Sequence, residues 1–305
     1  MTFAIPSELH HDLLRVEQIL QERMRARYSV IAMVNPHVVT DATDRLRALV
    51  VLAVARLGNY TDAQVVHAAA AVELIEAATR AHDTLIDEHA RRTGHGANGS
   101  WDHGVVLMIG DYLFALAAGE MARSPDPRII SLYSQAVMQV CEGQLITITS
   151  LTPPETALAT YWQRTEALSG ALLAAAAQAG ILCGDLPDTL LEPATRFGMH
   201  LGLARRLATE IRDLEADGTL LQAGNIPLAL LFAATEPLAP EVQAVFDHPT
   251  PATIAAVLPL IRNHGLPKAR AALIEQQNAA RHALQQLPAG NTTAWLNQLI
   301  DETGI

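Results

Sequence analysis

Lysine is all but absent from this chain: Lys268 is the only one in 305 residues, so 20 of the 21 basic side chains are arginines. A bias toward arginine codons accounts for most of that count, but it still excludes chemistry that needs lysines at several set places. Positive charge is scarce overall. Lys plus Arg number 21 against 32 Asp plus Glu, a net charge of −11 with a sequence pI of about 5.5. A nucleic-acid partner calls for a basic stripe, so no nucleic acid is expected to bind. Cysteine is limited to Cys141 and Cys183, with no metal-ligand spacing. Both are expected to be buried, reduced thiols of a cytoplasmic protein. No secretory pattern opens the sequence either, since Met1 to Asp12 carries Pro6, Glu8 and two His.

The longest uncharged run, Ala167 to Gly184, has the length of a membrane span, but Ala and Gly dominate it and Ser169 and Gln178 lie inside. It is expected to form a close-packed buried helix, leaving no transmembrane segment. Half of the residues are hydrophobic, which excludes a disordered chain and provides ample material for a core.

Aromatics make up only 4%, whereas the helix formers Ala, Leu, Gln, Glu and Arg abound. No alternating strand pattern is long enough to trust. Proline acts as punctuation: none occurs between Pro36 and Pro125, and most of the others fall where helices should begin or end, with Pro193 and Pro259 as exceptions. The spacing predicts helices at 8–33, 42–57, 62–89, 101–123, 128–150, 155–183, 188–217, 226–235, 252–263, 267–286 and 291–302. Thr61 and Gln64 form a capping box for the third, Gly58-Asn59 ends the second, and Gly94 to Gly99 is a loop. The expectation is an all-α helical bundle around a central cavity, one domain over residues 1–305, with several nearly fully apolar central helices.

Two stretches carry chemistry. In Glu73 to Glu88, Asp83 and Asp87 lie four apart and share a helical face. Two such carboxylates can hold Mg²⁺, which leaves its other positions to water and phosphate oxygens. In Gly202 to Gly218, Thr209, Asp213 and Asp217 form an i, i+4, i+8 stripe of oxygen ligands. Each stripe alone reads equally as a solvated helix surface. Facing each other across a bundle, the two would hold a diphosphate through Mg²⁺.

In order and spacing, the chain resembles the trans-prenyl diphosphate synthases (polyprenyl synthetases) along almost its whole length. The segments that carry the resemblance are Asp44 to Ala48, Glu73 to Glu88, Arg91-Arg92-Thr93-Gly94, Gly110 to Phe114, Gly143-Gln144, Arg164-Thr165, Gly198 to Gly218 and Ile226-Pro227-Leu228. The resemblance implies an all-α bundle, usually a homodimer. It further implies a cavity that condenses isopentenyl diphosphate with an allylic diphosphate, using Mg²⁺ on two Asp-Asp-x-x-Asp motifs. If those sites are retained, Asp83, Asp87, Asp213 and Asp217 could still gather Mg²⁺ around an allylic diphosphate, and Arg45, Arg47, Arg91, Arg92 and Arg164 could help bind it.

The departures from the family pattern are as telling. The first aspartate motif corresponds to Asp83 to Asp87, with Thr84 replacing a carboxylate, and the second to Thr209 to Asp213, which keeps only its last Asp. A lysine of the isopentenyl diphosphate site corresponds to Asp44 and its histidine to Glu76. Like charges about 4 Å apart at an effective dielectric near 20 cost on the order of 4 kcal/mol, so these acids would repel a diphosphate. Arg80, Arg205 and Arg206 stand three or four residues before motif positions, where their guanidinium groups could pair with the remaining carboxylates in place of Mg²⁺. If they instead snorkel outward, they are merely solvated. Ala78 and Thr79, where the family sets product length, are small and imply an open chain pocket.

Three functions compete. The first is a polyprenyl synthetase-like protein that has lost or largely lost condensation. It would be a subunit of a homodimer, a heteromer partner of a competent prenyl synthase subunit, or a binder of an isoprenoid diphosphate or chain. The second is a Mg²⁺-dependent prenyltransferase or terpene-cyclase-like enzyme that ionises one allylic diphosphate. The third is an HD-type metal phosphohydrolase using His82-Asp83 with His37 or His67 and Asp213.

Overall fold

The computed structural model describes residues 5–23, 45–60, 62–90, 103–234 and 239–303, with the side chains of 62, 84–90 and 103 not described. Among them there is no strand. The described chain is helical: α1 (Ser7–Arg23), α2 (Leu46–Ala55), α3 (Asp62–Ala90), α4 (His103–Met121), α5 (Arg128–Leu145), α6 (Pro154–Thr165), α7 (Ala171–Cys183), α8 (Leu191–Ala216), α9 (Thr219–Gln222), α10 (Leu228–Ala233), α11 (Pro240–Asp247), α12 (Pro251–Leu260), α13 (Leu266–Leu284) and α14 (Thr293–Glu302). By its contacts the chain separates into two compact units, residues 1–137, 175–195 and 286–296 in one and 138–174, 196–285 and 297–305 in the other.

In the first unit, α1 buries Leu9, Asp12, Val16 and Leu20 along one stripe, with Glu8 in its first turn and Arg23 in its last, each favourable to the helix dipole. Helix α2 is apolar nearly all round, and nine of its ten residues are buried. Only a helix enclosed by others can be so, and α1 and α3 both pack on it. The small residues Ala68 to Ala71 let α3 close in on its neighbours, and the buried Tyr133 of α5 donates its hydroxyl to the Ala68 carbonyl. The turn after α2 runs through Gly58, where a Cβ would stand 2.2 Å from the Gly184 carbonyl oxygen, so glycine is required by close approach.

In the second unit, the core comprises Tyr161, Leu207, Ile211, Leu214, Leu228, Leu231, Val257 and Ile261 with their neighbours. A π-helical turn, Glu166–Gly170, joins α6 to α7, and a second, Ile261–Gly265, joins α12 to α13. The second turn sets Arg262 against the end of α8, where its guanidinium donates to the carbonyls of Leu214, Glu215 and Ala216. These are the orphan acceptors that every helix leaves at its C-terminus.

The described structure departs from the sequence reading in five places, the first being the four-residue α9, which no predicted helix covers. Helix α11 was not expected; Pro240 begins it, and a minimal stripe of Val242 and Val245 buries it. Residues 251–284 form one continuous run rather than two helices, because Pro259 and Pro267 flank a π turn where the i→i−4 ladder is already interrupted. Cys141 is exposed rather than buried, since α5 buries Ile129, Tyr133, Ala136, Val140 and Gly143 and Cys141 lies off that stripe. Helix α4 also has the length and hydropathy of a span over Gly104–Met121, with a third of that window buried, whereas the Ala/Gly run of α7 is enclosed almost throughout. The predicted N-terminal extension of α2 from residue 42, the Thr61 cap and the Gly94 to Gly99 loop lie outside the described residues.

Candidate functional site

In the first unit, Arg45 immediately precedes α2 and is buried. Its Nε donates to Glu17 Oε1 at 2.5 Å, its Nη2 to Glu17 Oε2 at 3.2 Å, and its Nη1 lies 3.7 Å from Glu73 Oε2. Glu73 in turn accepts the Ala48 backbone N–H at 2.9 Å, an orphan donor of the first turn of α2. Burial raises the Glu73 carboxyl above its ordinary range, while Arg47, the Ala48 N–H and Arg45 pull it back. Arg47 meets Glu76 at 2.9 Å. Two of the predicted diphosphate ligands are therefore already engaged with carboxylates of their own chain. Glu76, expected to repel an anion, has its charge answered by Arg47.

Farther along α3, Ala78 and Thr79 are buried, and the Thr79 hydroxyl donates to the Glu76 carbonyl at 2.9 Å. Arg80 is exposed and Asp83 is half-buried. Asp87 lies one turn after Asp83 on α3, but its side chain and that of Thr84 are outside the described residues, as are Asp44, Arg91, Arg92 and His37. The Gly110 position has a local cause: a Cβ there would stand 2.0 Å from His82 Nε2. The imidazole lies 3.4 Å from the Leu107 carbonyl and 3.6 Å from Asp111, with Phe114 at 5.7 Å between ring centroids. His67 instead reaches Glu120 at 2.6 Å. His67 and His82 of the phosphohydrolase pattern thus go to different partners, and no group of three or more His, Cys, Asp or Glu among the described residues could hold a metal.

In the second unit, α8 carries the second motif, and its acids are spoken for. Glu210 is buried and accepts the Tyr161 hydroxyl at 2.9 Å, the Leu228 N–H at 3.0 Å and Arg206 Nε at 2.7 Å. Leu228 opens α10 behind Pro227, so Glu210 satisfies a helix-start donor much as Glu73 does. The buried carboxylate and the apolar surroundings push the Tyr161 phenol well above its ordinary value, with burial the larger cause. Burial, the largest single influence, would lower Arg206, but Glu210 by its charge and hydrogen bond, with Tyr161 and Asp213, together raise the guanidinium. Asp213 accepts the Thr219 hydroxyl at 2.5 Å and the Leu220 N–H at 3.1 Å, fastening the turn after α8. Thr209 turns its hydroxyl back to the Arg205 carbonyl at 3.0 Å. Arg205 and Arg164 are half-buried, and Asp217 is exposed.

Among the second-motif acids, Glu210 and Asp213 thus already accept hydrogen bonds from their own chain, while Asp217 is exposed. The sequence did not reveal Glu17 or Tyr161 as partners. The one available signal was that Ile226-Pro227-Leu228 and the second motif both carry the family resemblance, and the Leu228 to Glu210 bond joins them.

A sequence model described as polyprenyl synthetase matches residues 29–222. The chain is 28% identical over 307 residues to the heptaprenyl diphosphate synthase component 2 of Geobacillus stearothermophilus, covering 97% of this chain and 96% of that one. It is likewise 28% identical over 304 residues to the nonaprenyl diphosphate synthase of Mycobacterium tuberculosis, at 95% and 90% coverage. Among solved structures, a decaprenyl diphosphate synthase from Rhodobacter capsulatus superposes with a TM-score of 0.84 at 25% identity, covering 97% of this chain and 96% of that one. An all-α fold without strands among its described residues, the motif order along α2, α3 and α8, and a family match over well over half its length together make this chain a member of the polyprenyl synthetase family.

Proposed function

We propose that this chain is a polyprenyl synthetase-like protein of isoprenoid metabolism that has lost chain elongation, or retains only a weak remnant of it, and serves as the partner of a competent synthase subunit and a binder of isoprenoid diphosphate or chain. One observation carries the reading. Both remaining acids of the second motif bond to their own chain, Glu210 to Tyr161, Arg206 and Leu228, and Asp213 to Thr219 and Leu220. Mg²⁺ held by α8 would have to share these oxygens with the donors already on them, and any donor it displaced would be left unmet.

The partner role draws on α4. Its 104–121 window has a mean hydropathy of 1.5, yet only a third of it is buried. Met108 is 66% exposed and Leu107 49%, with Ala115 and Ala118 also exposed. An exposed apolar helix face of this kind is a docking surface. The Geobacillus relative is itself named a component of a synthase.

The test is purified protein with Mg²⁺, isopentenyl diphosphate and each common allylic diphosphate. Steady pyrophosphate release with chain lengthening overturns the proposal. Pyrophosphate released from an allylic diphosphate alone would establish an ionising, cyclase-like enzyme instead. Light scattering on the protein alone and mixed with a competent synthase reads the association, and Met108→Asp is expected to weaken it.

A further inference from the structure

We infer that the cleft between the end of α5 and the end of α6 is a binding site for a small organic cation, an ammonium or guanidinium group on a short apolar stem. The inference goes beyond the functional reading above and does not depend on it.

The cleft lies wholly within the second unit and has a volume of about 320 Å³. Small-molecule sites span about 300–1,000 Å³, so this one suits a small ligand. Its two walls present the same pair of residue types at the same spacing. Gln139 and Glu142 come from α5, and Gln163 comes from α6 with Glu166, the first residue of the π turn that follows. Residues three apart share a helical face, so each wall sets a carboxamide beside a carboxylate. All four side chains are exposed, and none makes a hydrogen bond or ion pair among the described residues. The acids of α8 in the same unit differ in this respect, since Glu210, Asp213 and Glu215 all bond to their own chain.

The walls converge on small residues. A Cβ at Gly143 would stand 2.7 Å from that of Ala167, so α5 and the π turn approach closely at the base of the cleft. Ile146 and the Met199 thioether add apolar surface to the lining. The π turn interrupts an otherwise continuous helical run at Glu166, and interruptions of this kind recur at functional sites.

These groups select the ligand class. Two carboxylates and two carboxamide oxygens are acceptors from opposite sides, and neither carboxylate has an ion pair among the described residues. A ligand that answers them is positively charged and rich in N–H donors. Ile146 and Met199 take an alkyl stem, as polarisable and aliphatic surfaces do. A bare divalent ion is a poorer match, because no group of three or more His, Cys, Asp or Glu among the described residues could hold one. An anion would be repelled from both walls.

The experiment is calorimetric titration of the full chain with butylguanidine at fixed ionic strength, on the wild type, Glu142→Gln, Glu166→Gln and Glu241→Gln. Glu241 is an exposed acid of α11 outside the cleft, and its variant reads the general attraction of a chain of net charge −11 for any cation. Saturable binding by the wild type is expected, weakened about tenfold in Glu142→Gln and in Glu166→Gln and unchanged in Glu241→Gln. Absence of saturable binding, or an equal loss in Glu241→Gln, overturns the inference. Tighter binding of Mg²⁺ than of butylguanidine, lost in the same two variants, also overturns it and makes the cleft a metal site. Should either cleft variant melt below the wild type, a comparison on the wild type alone decides: binding of butylguanidine but not of its neutral isostere butylurea supports the inference, and equal binding of the two overturns it.

Discussion

Arg47 and Glu76, on separate helices of the first unit, meet at 2.9 Å with about a fifth of each side chain exposed. The acid at position 76 is thus engaged with a guanidinium of its own chain. Truncating either partner leaves the other half-buried charge without its ion pair, so each single variant should cost about 1–2 kcal/mol and the double variant no more than either. A denaturant-unfolding cycle on Arg47→Ala, Glu76→Ala and both measures the coupling; additive costs would show the two side chains to be independent.

Glu210 lies on α8 and Asp217 just past its end, yet their removal should have very different effects. Glu210→Ala strands the Tyr161 hydroxyl, Arg206 and the Leu228 N–H inside the second unit. A loss of about 3 kcal/mol is expected. Asp217 is exposed, and Asp217→Ala should stay within about 0.5 kcal/mol. Urea unfolding of the two variants side by side checks the contrast.

Helix α8 approaches the chain around the first π turn through glycine. A Cβ at Gly202 would stand 2.1 Å from the Ser169 carbonyl oxygen, and one at Gly198 would stand 2.3 Å from that of Leu173. Backbone cannot swing aside as a side chain does. Gly202→Ala is expected to lower stability by about 2–3 kcal/mol, read as a drop in melting temperature.

The two thiols should behave as different chemical species. Burial pushes Cys183 up to about 12, whereas Cys141 stands on the open side of α5. At pH 8 Cys183 is both shielded and protonated. An aromatic disulfide reagent should consume one thiol per chain quickly and the second only in denaturant, and Cys141→Ser should abolish the fast phase.

Most of the helical framework was legible because periodicity and proline are local signals. The long elements α3 and α8 were visible as sustained apolar stripes, and α7 as an Ala/Gly run. Helix α11 escaped because eight residues with two buried valines barely make a stripe. The join of α12 to α13 escaped because a π turn lets prolines sit where an α-helix would break. The motif residues themselves were found in the sequence, but their present occupations were not. Tyr161 lies 49 residues from Glu210 and Glu17 lies 28 from Arg45, so no local spacing could pair them. The Asp213 to Thr219 bond spans only six residues, but it depends on the turn geometry that follows α8.

That last bond has a consequence for how this stretch could ever grip an ion. Asp213 clasps the start of the following turn through Thr219 and Leu220, so a cation recruiting its oxygens would share them with those two donors. Cation capture there and the protection of the Leu220 amide would be coupled, readable as a change in its exchange rate when the ion is bound.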